Sequence, residues 1–248
     1  MIAGEGPRHR DRRAGHRAVS RAAAGPAARP PDLSADRASA LALVPVSRET
    51  LGRLDRFVDL LLTWQQRINL IAPSTATHLW TRHIADSLQL LSLVPQARIW
   101  VDLGSGGGFP GLVIACALAQ TPGAQVHLVE ANAKKAAFLR EAARVTGAPV
   151  SVHGGRIEDF LKNPPKVVDV VTARALAPLS ELLAYAFPLL KRGARGVFPK
   201  GQDVDAELTE AAKYWKIQLS LALSRTDPKA RIVVVRGLEP KSRPASDD

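Results

Sequence analysis

The feature that most constrains the fold is a glycine-rich stretch at residues 102–111, Asp-Leu-Gly-Ser-Gly-Gly-Gly-Phe-Pro-Gly, which follows the apolar run Ile-Trp-Val at residues 99–101. Such a short apolar run is typical of a buried strand. The glycines permit positive φ angles and let backbone N–H groups approach a ligand closely. Pro110 suits the first turn of a helix. The stretch therefore predicts a strand, a cofactor-binding loop and a helix that begins near Leu112.

The acid that precedes the glycines indicates which cofactor is bound. Gly106, Gly108 and Gly111 satisfy the dinucleotide pattern G-x-G-x-x-G, so a nicotinamide or flavin enzyme has to be considered. Asp102, however, would place a carboxylate where it repels a pyrophosphate. S-adenosylmethionine has no phosphate and carries two cationic groups that a carboxylate attracts. The pattern D-x-G-x-G-x-G therefore favours S-adenosylmethionine, with Asp102 and Gly104 as predicted contacts.

A second cofactor signal is an acid at the end of the next predicted strand. Residues 125–130, Gln-Val-His-Leu-Val-Glu, have the pattern of a strand and end in Glu130. In nucleotide-binding α/β folds an acid roughly 20 residues beyond the glycines binds the ribose hydroxyls. A surface Glu at a strand end is the alternative. Given the glycine loop upstream, we expect Glu130 to bind ribose.

The rest of the chain alternates between strand and helix patterns, which predicts an α/β Rossmann-like fold with a mostly parallel seven-stranded sheet and helices on both faces. Asn132 is a predicted helix N-cap and Gly147 a predicted helix end. Further strands are expected at residues 150–153, 167–172 and 196–198, with a final antiparallel pair at 217–223 and 231–235. Helices are expected at residues 179–190 and 203–215.

Two later strand ends carry further candidate residues. Ile157 and Glu158 follow the third strand, where they would flank the adenine; Glu158 could equally be a helix N-terminal acid. Arg174 follows the fourth strand at the edge where ligands bind in such sheets. It could bind a phosphate or a base edge, or form a structural ion pair. We expect a functional role for Arg174.

The chain is predicted to have four parts. Residues 1–42 are rich in Ala, Arg, Pro and Gly and are expected to be disordered. Residues 43–96 should form a helical segment, with one helix capped by Ser47 and a second from about residue 75 to 93. Residues 97–237 form the expected catalytic domain, and residues 238–248 a flexible tail. The polar face of the second helix, with Arg82, His83 and Asp86, can be read by itself as a solvated ion pair.

Composition narrows the possible functions. The net charge of +11 points to a polyanionic partner, most simply a nucleic acid, although a generally basic surface is the alternative. The single cysteine, Cys116, excludes an internal disulfide and fits a reducing cytoplasm. The six histidines lack metal-binding spacing, so no metal is predicted. No apolar stretch is long enough to cross a bilayer.

Several motifs together resemble the RsmG (GidB) family of 16S rRNA guanine-N7 methyltransferases, over nearly all of residues 50–237. Residues 64–70, Trp-Gln-Gln-Arg-Ile-Asn-Leu, are similar to the family's W-N-x-x-x-N-L, with Gln65 in place of the usual Asn. Residues 82–88, Arg-His-Ile-Ala-Asp-Ser-Leu, match R-H-x-x-D-S-L, and residues 102–111 match D-x-G-[ST]-G-x-G-x-P-G. The runs at 155–158 and 174–175 resemble later signatures, whereas residues 1–40 match nothing in the family.

The resemblance implies a function and a set of site residues. It implies methyl transfer from S-adenosyl-L-methionine to a guanine N7 in the 530-loop region of 16S rRNA, on naked rRNA or the small ribosomal subunit, by a cytoplasmic protein that is monomeric. It also implies that His83 and Asp86 position the base or the RNA, as Arg174 could. The residues implied in cofactor binding or in lining its site are Gly104, Phe109, Ile157, Glu158 and Arg174.

Two other classes of function stay open from the sequence. An NAD-dependent oxidoreductase would require Asp102 to be tolerated near a pyrophosphate, and a non-catalytic RNA-binding module would require a glycine loop that binds no cofactor. Binding of S-adenosylhomocysteine but not NAD would select the methyltransferase. Binding of neither ligand would select the RNA-binding module.

Overall fold

The computed structural model describes residues 1–2 and 31–241. Seven strands form a single sheet in the order β3-β2-β1-β4-β5-β7-β6. The first five in sequence pair in parallel, and β7 pairs antiparallel with both β5 and β6. The predicted seven-stranded, mostly parallel sheet is therefore confirmed. The strands are β1 Ile99–Leu103, β2 Gln125–Glu130, β3 Val150–Gly154, β4 Val170–Thr172, β5 Arg195–Lys200, β6 Trp215–Leu223 and β7 Arg231–Pro240.

Helices cover both faces of this sheet. They are α1 Ser34–Leu43, α2 Arg48–Gln65, α3 Asp86–Leu88, α4 Gly111–Leu118, α5 Ala133–Thr146, α6 Ile157–Phe160, α7 Leu179–Leu190 and α8 Val204–Ala211. Successive side chains of β1 point to opposite faces, as strand geometry requires. Trp100 lies in the core beneath α2, α4 and α5, whereas Val101 lies in the core beneath α6, α7 and α8. The sheet thus separates two apolar layers.

The predicted helix caps are confirmed. The Ser47 hydroxyl accepts a hydrogen bond from the Thr50 N–H (3.1 Å) at the start of α2. The Asn132 side chain accepts from two N–H groups in the first turn of α5, which ends at Gly147 with φ of +61°. The Asn132 cap starts α5 directly after the end of β2. The chain therefore turns into a helix at the same end of the sheet as the glycine loop.

Helix α1 shows that the expected disorder of residues 1–42 is wrong for residues 34–42. Ala40 is only 2% exposed, and Arg37 forms a two-point ion pair with Asp55 of α2 (2.8 and 2.9 Å). The short Ala-rich sequence has little apolar periodicity, so the helix could not be predicted from it; tertiary contacts stabilise the helix instead. The expectation for residues 3–30 lies outside the described residues.

The second predicted helix has the expected extent but not a uniform hydrogen-bonding pattern. It consists of a 3₁₀ helix (Pro73–His78), a π-helix (Trp80–Ala85), α3 and a second 3₁₀ helix (Gln89–Leu93). We call residues 73–93 the motif segment. Each of these segments is only three to six residues long, which is too short for the apolar period to distinguish the helix types. Short π-helical turns frequently occur at functional sites.

Several other boundaries differ from the expectation. Strand β4 begins at Val170 rather than residue 167, because the Asp169 carboxylate accepts hydrogen bonds from the backbone N–H groups of Arg98 and Ile99 (both 2.8 Å). Helix α8 ends at Ala211. Strand β7 continues to Pro240, so the expected tail is wrong for residues 238–240; residues 242–248 lie outside the described part. Among the described residues, no helix has the length and apolar character needed to span a bilayer.

Candidate cofactor and acceptor site

A cavity of about 1100 Å³ lies at the carboxyl ends of the parallel strands. This is the edge at which open α/β sheets bind ligands. Its volume is at the upper end of the range of ligand-binding cavities. The walls come from the glycine loop, the motif segment, the segment after β4 and the connection between β6 and β7. The predicted site residues that line it are His83, Asp86, Gly104, Phe109, Glu130, Ile157 and Arg174.

The glycine loop is shaped by backbone geometry that requires glycine. Gly104 has φ of +69°, and a Cβ atom there would lie 2.7 Å from Leu176 Cδ1. The N–H groups of Gly104 and Ser105 both donate to the Val129 carbonyl (2.9 and 3.0 Å). This bends the chain sharply after β1 and exposes the loop backbone to the cavity. A side chain at Gly104 would be both strained and obstructed.

Glu130 lies beside this loop and is only 8% exposed. Its Oε2 accepts a hydrogen bond from the Gly106 N–H (2.8 Å), and its Oε1 accepts from the Asn132 N–H (2.7 Å). A carboxylate offers about four lone-pair positions, so two backbone donors leave capacity for further donors. Because Glu130 also lines the cavity, its carboxylate is oriented to accept from a ligand that carries two neighbouring hydroxyls.

Asp102 is not positioned as expected for direct contact with a ligand. It is fully buried below the loop, does not line the cavity, and accepts a hydrogen bond from the Gly111 N–H through Oδ2 (3.1 Å). Its Oδ1 has no hydrogen-bond partner among the described residues. Burial raises the pKa of Asp102 to about 7. The Asp102 side chain lies on the face of β1 that the glycine loop covers. Its hydrogen bond to Gly111 therefore ties the end of β1 to the start of α4.

Of the remaining predicted cofactor residues, Ile157 and Phe109 line the cavity and Glu158 does not. Ile157 lines the cavity from the start of α6 and gives it an apolar wall. Phe109 is buried, and its ring lies 4.8 Å from the His83 ring and 5.1 Å from the Arg174 guanidinium carbon. Glu158 is exposed in the first turn of α6 and does not line the cavity. A contact between Glu158 and a ligand is therefore not supported by this geometry.

Arg174, His83 and Asp86 are brought together as the acceptor-positioning group. Arg174 Nη1 donates to the Arg82 carbonyl (3.0 Å) and lies 3.5 Å from Asp86 Oδ2, while Nη2 lies 2.6 Å from His83 Nδ1. Because a guanidinium only donates, His83 Nδ1 must be the acceptor and Nε2 must carry the proton. That N–H then donates to the Thr75 hydroxyl (2.8 Å). The alternative interpretation of this helix face as a solvated Arg82–Asp86 ion pair does not agree with these contacts, because Asp86 lies beside Arg174.

The electrostatics of this group keep His83 neutral. Burial, together with the positive charges of Arg174 and Arg82, lowers the pKa of His83 to about 3. Both ring nitrogens are occupied by hydrogen bonds at the same time. His83 is therefore unsuited to exchange protons near neutral pH and suited to hold Arg174 in a fixed orientation.

Sequence reasoning did not identify the connection between β6 and β7 as part of the site. Asp86 Oδ1 accepts hydrogen bonds from Gln89 Nε2 (2.9 Å) and the Thr226 hydroxyl (2.8 Å), and Gln89 Oε1 accepts from the Arg225 N–H (2.8 Å). Arg82 forms an ion pair with Asp227 (2.8 Å). A polar motif on one helix gives no signal of a partner about 140 residues away, so only the loop's basic composition could have suggested it.

Lys200 and Glu207 form a second polar group on the cavity wall that the sequence analysis did not single out. Lys200 Nζ donates to Glu207 Oε2 (2.6 Å) and to the Ala177 carbonyl (3.0 Å). The same carboxylate oxygen accepts from the Leu179 N–H (2.6 Å). The pair therefore fixes the segment after Arg174. Among the described residues, no cluster of His, Cys, Asp or Glu could hold a metal ion.

Comparison with known proteins agrees with this architecture. Solved structures with similar folds include an O-methyltransferase from Bacillus cereus in complex with SAH (TM-score 0.55, 14% identity, 82% of this chain and 98% of that chain) and a putative O-methyltransferase from Klebsiella pneumoniae (TM-score 0.54, 15% identity, 83% and 97%). At these identities the likeness confirms the Rossmann-like methyltransferase fold.

Sequence relatives are much closer. Ribosomal RNA small subunit methyltransferase G of Bradyrhizobium sp. strain BTAi1 is 65% identical over 84% of this chain and 93% of that protein. The protein of the same name from Nitrobacter hamburgensis is 57% identical over 93% of this chain and 91% of that protein. The family model described as GidB, rRNA small subunit methyltransferase G, matches residues 50–231. The chain therefore belongs to the GidB family, as its motifs predict.

Proposed function

We propose that this protein transfers a methyl group from S-adenosyl-L-methionine to rRNA of the small ribosomal subunit, and that the acceptor is N7 of a guanine in the 530-loop region of 16S rRNA. The observation that carries the proposal is one cavity lined both by the glycine loop with Glu130, which we call the cofactor side, and by the Arg174–His83 pair, which we call the acceptor side. Membership of the GidB family supports rRNA as the substrate.

The residues that are present fit the cofactor. Glu130 has lone pairs available for the ribose hydroxyls, Ile157 offers an apolar wall for adenine, and the backbone from Gly104 to Gly107 would approach the amino acid end. The bound cofactor supplies an electrophilic methyl group on a sulfonium. At a φ of +69° a side chain at Gly104 would strain the loop, and its Cβ would also force the Leu176 side chain to shift. Asp102 contributes indirectly, by holding the loop.

The chemistry of guanine N7 matches a site without a free general base. N7 carries an in-plane lone pair and no proton, so it can attack a methyl group without prior proton transfer. His83 is held neutral with both nitrogens bonded, and Arg174 stays cationic and oriented by three acceptors. These residues align the base and exclude water. Orientation of this kind can supply on the order of 7–11 kcal/mol.

We further propose that the protein acts as a cytoplasmic monomer, as the family resemblance implies. The two alternative functions have weaker support. A dinucleotide-dependent oxidoreductase would place a pyrophosphate in the cavity close to the Glu130 carboxylate, which would repel it. A non-catalytic RNA-binding module would not explain why Glu130 and Arg174 are both held in fixed orientations in one cavity. Light scattering of the purified protein tests the monomer.

The decisive experiment is methylation of small subunits or 16S rRNA from a strain that lacks the enzyme, with tritiated S-adenosylmethionine and nucleoside analysis of the product. The expected product is 7-methylguanosine from a single site. The Gly104→Val variant is the matched negative control. Label on another guanine atom, or only on protein, would contradict the acceptor assignment. Titration calorimetry with S-adenosylhomocysteine and NAD separates the oxidoreductase from the methyltransferase.

A further inference from the structure

The connection between β6 and β7, residues 224–230, is an ordered loop at the cavity wall. Its sequence is Ser-Arg-Thr-Asp-Pro-Lys-Ala. Within the loop, the Ser224 hydroxyl pairs with that of Thr226 (2.9 Å) and accepts from the N–H groups of Thr226 (3.2 Å) and Asp227 (3.3 Å). Ser224, Thr226, Asp227 and Ala230 all line the cavity. The loop therefore forms a fixed part of the site's rim.

The motif segment holds this loop with three polar side chains. Gln89 is only 3% exposed and bonds to the Arg225 N–H (2.8 Å) and the Ser224 hydroxyl (3.2 Å). Asp86 accepts from Thr226, and Arg82 pairs with Asp227. Asp86 also contacts Arg174, so one carboxylate links the loop to the acceptor-positioning group. The loop's position is thus coupled to the place where the base would lie.

The charges of the loop are arranged to attract an anion. Asp227, its single acid, is paired with Arg82 (2.8 Å), which offsets its negative charge. Arg225 and Lys229 are exposed, and within the described residues neither side chain has a hydrogen-bond or ion-pair partner. Unpaired cations on a rigid rim are suited to phosphate groups, because contacts to phosphates fix the register of a nucleic acid without reading its sequence.

We propose that the β6–β7 loop holds the RNA backbone beside the acceptor nucleotide, with Arg225 and Lys229 as phosphate contacts. The inference rests on the proposed function, since it takes the anion to be the RNA whose base enters the cavity. The proposal gives different roles to the acceptor-positioning group and to the β6–β7 loop. Arg174 and His83 orient the base, and the loop sets the position of the strand.

The test compares Arg225→Ala, Lys229→Ala and the double variant with Lys191→Ala. Lys191 is exposed between the end of α7 and the start of β5, at the end of the sheet away from the cavity. Its substitution removes one positive charge, as each rim substitution does, without changing the rim. RNA affinity is measured by fluorescence anisotropy with a labelled 16S rRNA fragment over a range of salt concentrations. The KM for small subunits, the affinity for S-adenosylhomocysteine and Tm are measured beside it.

Each rim variant should flatten the dependence of log affinity on log salt by about 0.7 for a single-stranded contact. The double variant should lose about three- to ten-fold in RNA affinity and raise the KM similarly. Its kcat, cofactor affinity and Tm should stay close to wild type, and Lys191→Ala should match wild type throughout.

An unchanged salt slope in the double variant would overturn the rim assignment, even if the enzyme methylates guanine N7 as proposed. A loss as large in Lys191→Ala would overturn it too, because net charge alone would then explain the effect. Failure of the wild type to methylate, combined with a rim-dependent slope, would instead contradict the proposed reaction and leave the RNA contact in place.

Discussion

The two sides of the cavity are built by different means. On the cofactor side, backbone N–H groups of the glycine loop donate to carboxylates at the ends of two strands that pair with each other, as Gly106 does to Glu130 and Gly111 to Asp102. On the acceptor side, contacts join side chains 90 or more residues apart, such as His83 to Arg174 and Asp86 to Thr226. The first side depends on permitted backbone geometry. The second depends on several elements being correctly placed at once.

The largest expected effect concerns Asp102, which supports the cofactor side from below. Its pKa is raised from 3.8 to about 7 by burial, so the folded state holds the proton more tightly than the unfolded state. Stability is therefore lost as pH rises from about 4 to 7, and the shift of roughly three pKa units corresponds to about 4 kcal/mol.

Asp102→Asn removes this titration while keeping an acceptor for the Gly111 N–H. The variant should gain stability relative to wild type as pH rises from 4 to 7, as measured by urea unfolding at each pH. The comparison cancels the opposite contribution of His83, whose lowered pKa makes stability rise with pH between about 3 and 6.5. A constant difference between the two proteins across this range would contradict the assigned burial of the charge.

Gly104→Val should weaken S-adenosylhomocysteine binding by roughly 10- to 100-fold, since positive-φ strain costs about 1–3 kcal/mol. The added side chain would also meet Leu176. Gly155→Ala is the control, because a Cβ there meets nothing within 4 Å and the φ of Gly155 lies outside the left-handed region that favours glycine. Calorimetric titration gives the affinities. Equal binding by both variants would show that the loop conformation does not determine the site.

Arg174→Lys tests the acceptor side with the charge conserved. A lysine cannot donate in a planar fork to the Arg82 carbonyl, His83 and Asp86 at once, so orientation is lost. We expect methyl transfer to fall about ten-fold, equivalent to about 1.4 kcal/mol, with cofactor affinity less affected. In Arg174→Ala, NMR should show a higher His83 pKa, because one of the charges that lowers it is removed. An unchanged His83 titration would contradict the coupling.

Sequence predicted the cofactor side in detail because its determinants are local. The strand, the loop, Glu130 and the caps of α2 and α5 follow from glycine, acid and cap positions within short windows. Asp102 was placed in the right element but given the wrong contact, since strand alternation alone does not say which way the loop folds over it. On the acceptor side, the strand end predicts Arg174, whereas roles for His83 and Asp86 follow only from the family motif, and nothing in the sequence predicts their partner loop.

The smallest effect is expected from a change in α1, which contacts the start of the π-helix but does not line the cavity. Asp36 Oδ2 accepts a hydrogen bond from the Trp80 N–H (2.7 Å), and its carboxylate also binds the Thr81 hydroxyl (2.5 Å). These groups begin the π-helix that carries His83, so Asp36 caps that helix from a distant element. Loss of such a cap costs about 1 kcal/mol.

Asp36→Ala should therefore lower Tm by about 2–4 °C in a chain of this size and reduce methyl transfer only a few-fold. Asp55→Asn is the control, because it removes the α1–α2 ion pair and leaves the cap intact. If both variants lose stability but only Asp36→Ala shifts the NMR signals of the His83 ring, the cap controls the orientation of the acceptor side. Identical spectra in the two variants would mean that α1 contributes packing alone and does not orient the acceptor side.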